Sequence, residues 1–450
     1  MQVFNKLAKY KMKSAAWVLV LALLTGLSAC DDYNELELQQ VTAEQADFSR
    51  YVSVGNSITA GYQSNALYES AQKHAFPNLL ARQLQQADEF EQPLIGDPGI
   101  GGRLGLVNLN PTVLEPTSGK GEPLNPTLSR PYNNLGIPGA VLADFNGADI
   151  GNNTYGLRRT NNPFYDIILR QGFGNTQFQQ IKQLDPSFIT FWLGNNDVLG
   201  YVSSAGQNPY IPSNVFGGLY SRAMDSLATL DADVAVFNIP DVTSIPFVFQ
   251  VNQTLLNDGT LGVNDEGYIS LNASGDLFPL YIEVTDPNQP GTVVDTVRMR
   301  ATNAGQNLPG AFFPLSAQSY LADALPNGVG ITKDRPIEHE QVLDNGEIGK
   351  AIELVNSFNA TIQNQASQKG YTVVDINTLF SDIVADGQVQ IGEESFKPVA
   401  GELFSFDGVH PSNMGQVLLA NHLIEKLNAS YQADIPAVEP ATIPMGLPTN

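Results

Sequence analysis

The segment that decides the fold reads Arg50-Tyr51-Val52-Ser53-Val54-Gly55-Asn56-Ser57-Ile58-Thr59. Its first half is rich in β-formers and runs directly into a glycine. A strand that ends in a small-residue turn places the next side chains at the carboxyl edge of a sheet, where α/β proteins build their sites. The same signal recurs downstream. Phe188 to Leu193 (FITFWL) ends in Gly194, and Asp233 to Ile239 (DVAVFNI) and Tyr371 to Ile376 (YTVVDI) are further apolar runs of strand length. Helical patterns fall between and after them, over residues 66–87 with a break near Pro77, then 175–184, 213–230, 346–369 and 413–428. Strand and helix in alternation predict a parallel sheet with helices on both faces.

Two stretches interrupt that rhythm. Residues 92–139 are rich in Gly, Pro and Asn without a clear period, and a loop this long in a compact domain is usually functional. It is a candidate cleft wall. Residues 245–345 hold many turn residues and short β-like runs such as Tyr281-Ile282-Glu283-Val284 and Val293-Val294, and read as an inserted lid or subdomain. The insertion also carries apolar runs, Ile245–Phe249 and Pro309–Pro314, which suit either a cleft for an acyl chain or the insertion's own core. The fold is expected over residues 48–432, with a Pro-rich extended tail over 433–450.

The first residues are not fold. Lys6, Lys9, Lys11 and Lys13 form a basic region, and Ala15 to Leu27 is an apolar run too short to span a bilayer comfortably. Leu27-Ser28-Ala29-Cys30 then resembles a bacterial lipoprotein cleavage site, in which Cys30 becomes the acylated N-terminus. Residues 1–29 are expected to be a lipoprotein signal peptide and residues 30–47 an acidic tether. Asp31 and Asp32 after the cysteine resemble the export signal of surface lipoproteins in Bacteroidetes-type bacteria. Cys30 is the sole cysteine, so no intrachain disulfide forms. The 450-residue chain has a net charge of −23, which removal of the leader and its four lysines brings to −27. Such a surface repels nucleic acid and anionic membranes. No Walker motif, no G-x-G-x-x-G spacing, no calcium-loop pattern and no Cys/His metal cluster is present, so no metal or organic cofactor is expected.

Ester hydrolysis by a side-chain nucleophile needs a base, an orienter for that base, and donors for the oxyanion. Four histidines compete for the base. His74 and His422 lie on helical patterns, and His339 sits between Glu338 and Glu340. His410 follows Asp407 by three residues in Phe406-Asp407-Gly408-Val409-His410-Pro411-Ser412. Within one turn that spacing brings a carboxylate to an imidazole nitrogen. A D-x-x-H pair gains meaning from three other short blocks in order. They are Gly55-Asn56-Ser57-Ile58-Thr59, Asn134-Leu135-Gly136-Ile137-Pro138-Gly139 and Gly194-Asn195-Asn196-Asp197.

This order resembles the SGNH, or GDSL-type, hydrolase family. The resemblance implies a three-layer α/β/α fold with a mostly parallel, flavodoxin-like sheet, to which the insertion adds an irregular, β-rich part. It implies Ser57 as nucleophile, His410 as general base and Asp407 as its partner. The Ser57 and Gly139 N–H groups and the Asn196 side chain would form the oxyanion hole, with Gly136 a rival for Gly139. The family's block-one aspartate is Asn56 here, which keeps the shape and loses the charge. The implied activity is a serine esterase or lipase acting on acyl esters at the cell envelope, lipid-anchored at the outer membrane. Carbohydrate O-deacetylation and a non-catalytic lipid-binding lipoprotein of the same fold are the alternatives. No G-x-S-x-G elbow is present, which argues against an ordinary α/β-hydrolase.

Overall fold

The computed structural model describes residues 41, 43–109, 112–303 and 308–445. The leader and Cys30 lie outside the described residues. Five strands form the central sheet: β1 (Tyr51–Gly55), β2 (Asn134–Gly136), β3 (Phe188–Trp192), β4 (Asp233–Phe237) and β5 (Thr372–Val374). Their order is β2-β1-β3-β4-β5 and every neighbouring pair is parallel. This is the flavodoxin-like order. The chain leaves β1 toward one edge and β3 toward the other, so a crevice opens between their carboxyl ends. Every residue of β1 and β3 is buried. A sheet covered on both faces demands that continuous apolar pattern, which is why these two strands stand out in the sequence.

The main helices are α1 (Ser57–Ala60), α2 (Phe76–Gln83), α3 (Gln177–Leu184), α4 (Asn196–Ser203), α5 (Ser213–Leu227), α6 (Pro246–Asn257), α7 (Asn345–Lys369) and α8 (Asn413–Tyr431). α2 packs on α8, and α5 packs on α7. Right-handed crossovers in opposite directions from β1 and β3 put these two pairs on opposite faces of the sheet. Phe216 of α5 and Phe358 of α7 stack with centroids 3.8 Å apart, and both are fully buried. An aromatic pair of this kind adds about 0.5–1.5 kcal/mol beyond the area it buries. α7 starts on a reciprocal cap, in which the Asp344 side chain accepts from Glu347 N–H and the Glu347 side chain accepts from Asp344 N–H.

Two sequence expectations need correction. The stretch 92–139 is not all loop, because it contains a hairpin, Leu104–Leu109 with Thr112–Pro116, and the edge strand β2. Asn-Leu-Gly has no β propensity of its own; pairing with β1 makes it a strand. Residues 66–87 form two helices, Glu69–Gln72 and α2, and Pro77 sits in the first turn of α2, where a missing N–H costs nothing.

Between β4 and α7 the chain builds α6, a three-stranded antiparallel sheet (Leu261–Val263, Ile269–Ala273, Asp276–Pro279), the hairpin Tyr281–Thr285 with Val293–Arg298, and the helix Gln318–Ala324. These elements share a buried cluster that includes Val251, Ile269, Ile282, Met299, Phe313 and Leu321. Over residues 434–439 the tail is extended but packed, and a 3-10 turn follows at Pro440–Thr442. Asn428 and Asn421 on α8 each clamp it with two hydrogen bonds, to Ile435 and Val438 respectively. Among the described residues no helix is long and apolar enough to cross a membrane.

Candidate active site

The site sits at the crevice between β1 and β3. After Gly55 the chain turns at Asn56 and enters α1 with Ser57 as its first residue. The buried Asn56 side chain accepts the Ile58 N–H at 3.0 Å. An aspartate would make the same bond, so asparagine keeps the turn without burying a charge. Ser57 is 7% exposed, and its Oγ lies 2.9 Å from His410 Nε2. His410 Nδ1 lies 3.0 Å from Asp407 Oδ2. Three side chains from opposite ends of the sequence thus form one hydrogen-bonded chain.

The loop before α8 holds that chain in place. Asp407 Oδ1 accepts the N–H groups of Val409 and His410, both at 2.9 Å, and Oδ2 also accepts Asn65 N–H at 3.0 Å. Burial alone would raise the Asp407 carboxyl. The adjacent His410 and these N–H donors outweigh it and hold the pKa at about 2. Ser405 and Ser64 cross-link the loop to the segment after α1, and Gln416 of α8 spans from Ile58 O to Phe76 N–H. The Tyr62 ring packs 4.9 Å from the imidazole, centroid to centroid. Sequence reading missed Asn65, Tyr62 and Gln416. Asn65 acts through its backbone, Tyr62 through ring packing and Gln416 through hydrogen bonds to backbone groups, so no residue-type signal marks them.

The two glycine candidates separate clearly. Gly136 pairs with Gly55 across the sheet edge, and its N–H donates to Asn134 Oδ1 at 2.9 Å. A Cβ there would sit 2.4 Å from Ala60 N, so its glycine serves close packing against α1. Gly139 is exposed, has φ +81°, and its N–H meets no acceptor among the described residues. Asn196 opens α4, and its Nδ2 donates to Ala140 O at 2.8 Å, which ties the β3 end of the crevice to the Gly139 loop. Buried Gln177 of α3 bonds both Gly55 O and Leu135 O through one amide nitrogen, pinning the ends of β1 and β2 together.

Asp197, next to Asn196, is fully enclosed. Its Oδ2 accepts Leu142 N–H at 2.9 Å, while Oδ1 has no partner. Burial, only partly offset by that bond, pushes its pKa up to about 7, with the nearby Asp144 adding to the rise. The folded state therefore keeps a proton that the unfolded chain releases above the ordinary carboxylate range. This group's contribution is most favourable at low pH and declines as pH rises from about 4 to about 7. Asp197→Asn is expected to remove that slope, so its melting temperature exceeds wild type at pH 8 by more than at pH 5. Thermal melts across that range check it, and parallel curves would contradict it.

The other histidines stand apart from any such chain. His74 lies in the turn before α2, where burial and the charges of Arg82 and Lys73 lower its pKa to about 4. His339 contacts Glu283 and Glu340, and His422 lies within α8. Among the described residues no three His, Cys, Asp or Glu side chains converge as a metal site.

The model of the GDSL-like lipase/acylhydrolase family matches residues 51–423, a span that contains all four sequence blocks. No curated protein matches the sequence. Among solved structures, the chain is similar to LAE5, an alpha/beta hydrolase enzyme from the metagenome of Lake Arreo, Spain. That likeness has 10% identity over 86% of this chain and 97% of that one, with a TM-score of 0.35. It is similar also to the lipase/acylhydrolase from Enterococcus faecalis, with 12% identity over 86% and 98% of the two chains and a TM-score of 0.31. On the extent of the family match, the chain belongs to the GDSL-like lipase/acylhydrolase family.

Proposed function

We propose that the protein is a serine ester hydrolase that works through an acyl-enzyme, with Ser57, His410 and Asp407 as its catalytic residues. The observation that carries this reading is the continuous chain from Asp407 Oδ2 through the His410 ring to Ser57 Oγ. Ser57 Oγ attacks the ester carbonyl carbon as its proton passes to His410 Nε2. Asp407 holds the Nδ1–H tautomer and stabilises the imidazolium. The imidazolium then protonates the departing alcohol, leaving the acyl group on Ser57. His410 next takes a proton from water, which attacks the acyl carbonyl and releases the acid, and the proton returns to Ser57 Oγ.

The carbonyl oxygen gathers negative charge in both halves. Ser57 N–H, Gly139 N–H and the remaining N–H of the Asn196 amide are the proposed donors. Gly139 is preferred to Gly136 because the Gly136 N–H already has an acceptor. Asn196→Ala is expected to lower kcat by about 10²–10³-fold with KM nearly unchanged, the usual cost of one oxyanion donor. A KM effect of that size with kcat intact would remove Asn196 from the oxyanion hole.

The reaction as a whole is tested with residues 31–450 on p-nitrophenyl esters of several acyl lengths, beside Ser57→Ala and a fluorophosphonate label. Turnover and labelling that both vanish in the variant support the reading. Equal rates in the two proteins would overturn it. Acyl esters of the cell envelope are the proposed substrates, with the enzyme anchored by acylated Cys30 at the outer membrane. The basic and apolar leader and the small residues before Cys30 support that location. Cys30→Ala is expected to move the protein from the membrane fraction to the soluble fraction, and unchanged fractionation would sink the anchor.

A further inference from the structure

The insertion between β4 and α7 contains an open cavity of about 670 Å³ that shares no residue with the proposed catalytic machinery. Its volume falls within the ~300–1,000 Å³ of ordinary small-molecule sites. Two helices face each other across it. Val251, Thr254 and Leu255 of α6, with Asp258 at its C-cap, line one wall at the i, i+3, i+4, i+7 spacing of a single helix face. The helix Gln318–Ala324 lines the other wall with Gln318, Leu321, Ala322 and, just past its end, Leu325 in the same spacing. Strand Ile269–Ala273 contributes Leu271 between them.

The chemistry of that lining restricts the occupant. The floor is aliphatic, formed by buried Val251, Leu321 and Leu325 with half-buried Leu255 and Leu271. Among the described residues of the lining, Asp258 is the sole charged one and no lysine, arginine or histidine occurs. A phosphate or a free carboxylate would find no counter-charge there. A flexible apolar chain matches the floor, and the exposed Thr254, Asn272 and Gln318 keep the rim wet.

α6 runs from the Asp407–His410 loop to the groove. Its Phe247 N–H donates to Gly408 O at 2.9 Å, within the Asp407–His410 loop, and Gly408 packs directly against Phe247. Val251 begins the groove one turn later, and Asp258 lies about 16 Å along the helix from Phe247 at 1.5 Å per residue. The helix that braces the catalytic loop is therefore also a wall of the groove.

We propose that this groove holds the fatty acyl chain of the ester substrate, so that the insertion selects long-chain esters for the Ser57 centre. The proposal rests on the hydrolase reading above. Its test uses Ala322→Trp and Thr254→Trp, which fill the groove from opposite walls at exposed positions that should tolerate the bulk. Each is assayed on p-nitrophenyl butyrate and p-nitrophenyl palmitate in the same detergent, with binding of the uncharged fluorescent methyl ester of cis-parinaric acid measured on Ser57→Ala, with and without each tryptophan. The expected result is a loss of tenfold or more in kcat/KM on palmitate, butyrate turnover within twofold of wild type, and weaker probe binding. Palmitate-to-butyrate ratios that stay at wild type in both variants overturn the groove even if the probe binds. Loss on both esters alike, with melting curves unchanged, also overturns it, because the groove would then not discriminate chain length. Absence of Ser57-dependent turnover on either ester defeats the hydrolase reading instead, so the two failures are distinguishable.

Discussion

Ser57→Ala is expected to lower ester hydrolysis by about 10⁴-fold or more, the scale on which removal of a nucleophile is felt where triad members act as a unit. The substitution removes one oxygen whose hydrogen bond is to His410 Nε2. It leaves the turn intact, because the Asn56 side chain and the Ser57 backbone carbonyl, not the hydroxyl, bond the start of α1 and Tyr62 N–H. Stability should thus change by no more than about 1 kcal/mol, the net worth of one hydrogen bond. Steady-state rates and a thermal melt on the same preparation separate a chemical loss from a folding loss. A variant that melts as wild type does and still turns over within tenfold would remove Ser57 from the chemistry.

Asp407→Asn should combine a large rate loss with a stability loss. The carboxylate accepts from His410 Nδ1, Asn65 N–H, Val409 N–H and His410 N–H with two oxygens. An amide has one oxygen, so at least one of these donors faces an NH₂ group. If the NH₂ faces Nδ1, the ring is driven into the tautomer that cannot accept the Ser57 proton, and a loss of about 10⁴ in kcat follows. If it replaces Oδ1, the Val409 and His410 N–H groups both go unpaired, at a cost of about 1–3 kcal/mol each. The pH dependence has a definite sign. The Asp407 pKa in the folded state is about 2, below the ordinary value of 3.8. Its contribution is present above about pH 4 and disappears as pH falls toward 2. Wild type and Asp407→Asn should thus differ in stability at pH 6 and converge near pH 2, as acid titrations of the melting temperature can read. A constant difference across that range would show that the carboxylate's charge contributes nothing.

These two expectations pair a residue that the chemistry uses with one that the fold also needs, and the sequence exposes them unequally. Strands β1 and β3 were legible because they are buried on both faces, and complete burial forces an uninterrupted apolar run. α7 and α8 were legible for similar reasons of length and period. β2 was invisible, since Asn134-Leu135-Gly136 becomes a strand through its pairing with β1. The apolar runs of the insertion were visible but ambiguous. Phe313 and Val248 are core, while the groove is lined by residues spaced along helix faces rather than clustered in sequence.

For the site, the blocks around Ser57, Asn196 and His410 were recognisable because their residue types are chemically restricted and each follows or precedes an element whose position is fixed. The Asp407–His410 contact is local, three residues within one loop, so spacing alone could suggest it. The Ser57–His410 contact crosses 353 residues, and no local pattern encodes a distance of 2.9 Å. The packing of α8 and the loop before it against α1 and the segment after it, through Gln416, Asn413, Ser405 and Asp407, sets it. The choice between Gly136 and Gly139 likewise waited on knowing which N–H was already bonded. The sequence by itself determined which side chains carry the candidate chemistry and that Ser57 and Asn196 follow strands of a parallel sheet, because residue type and hydrophobic period are local properties. The tertiary structure decided which of them meet and which donors stay free, and brought α6 from the catalytic loop to the groove, because contact and burial depend on chain segments far apart.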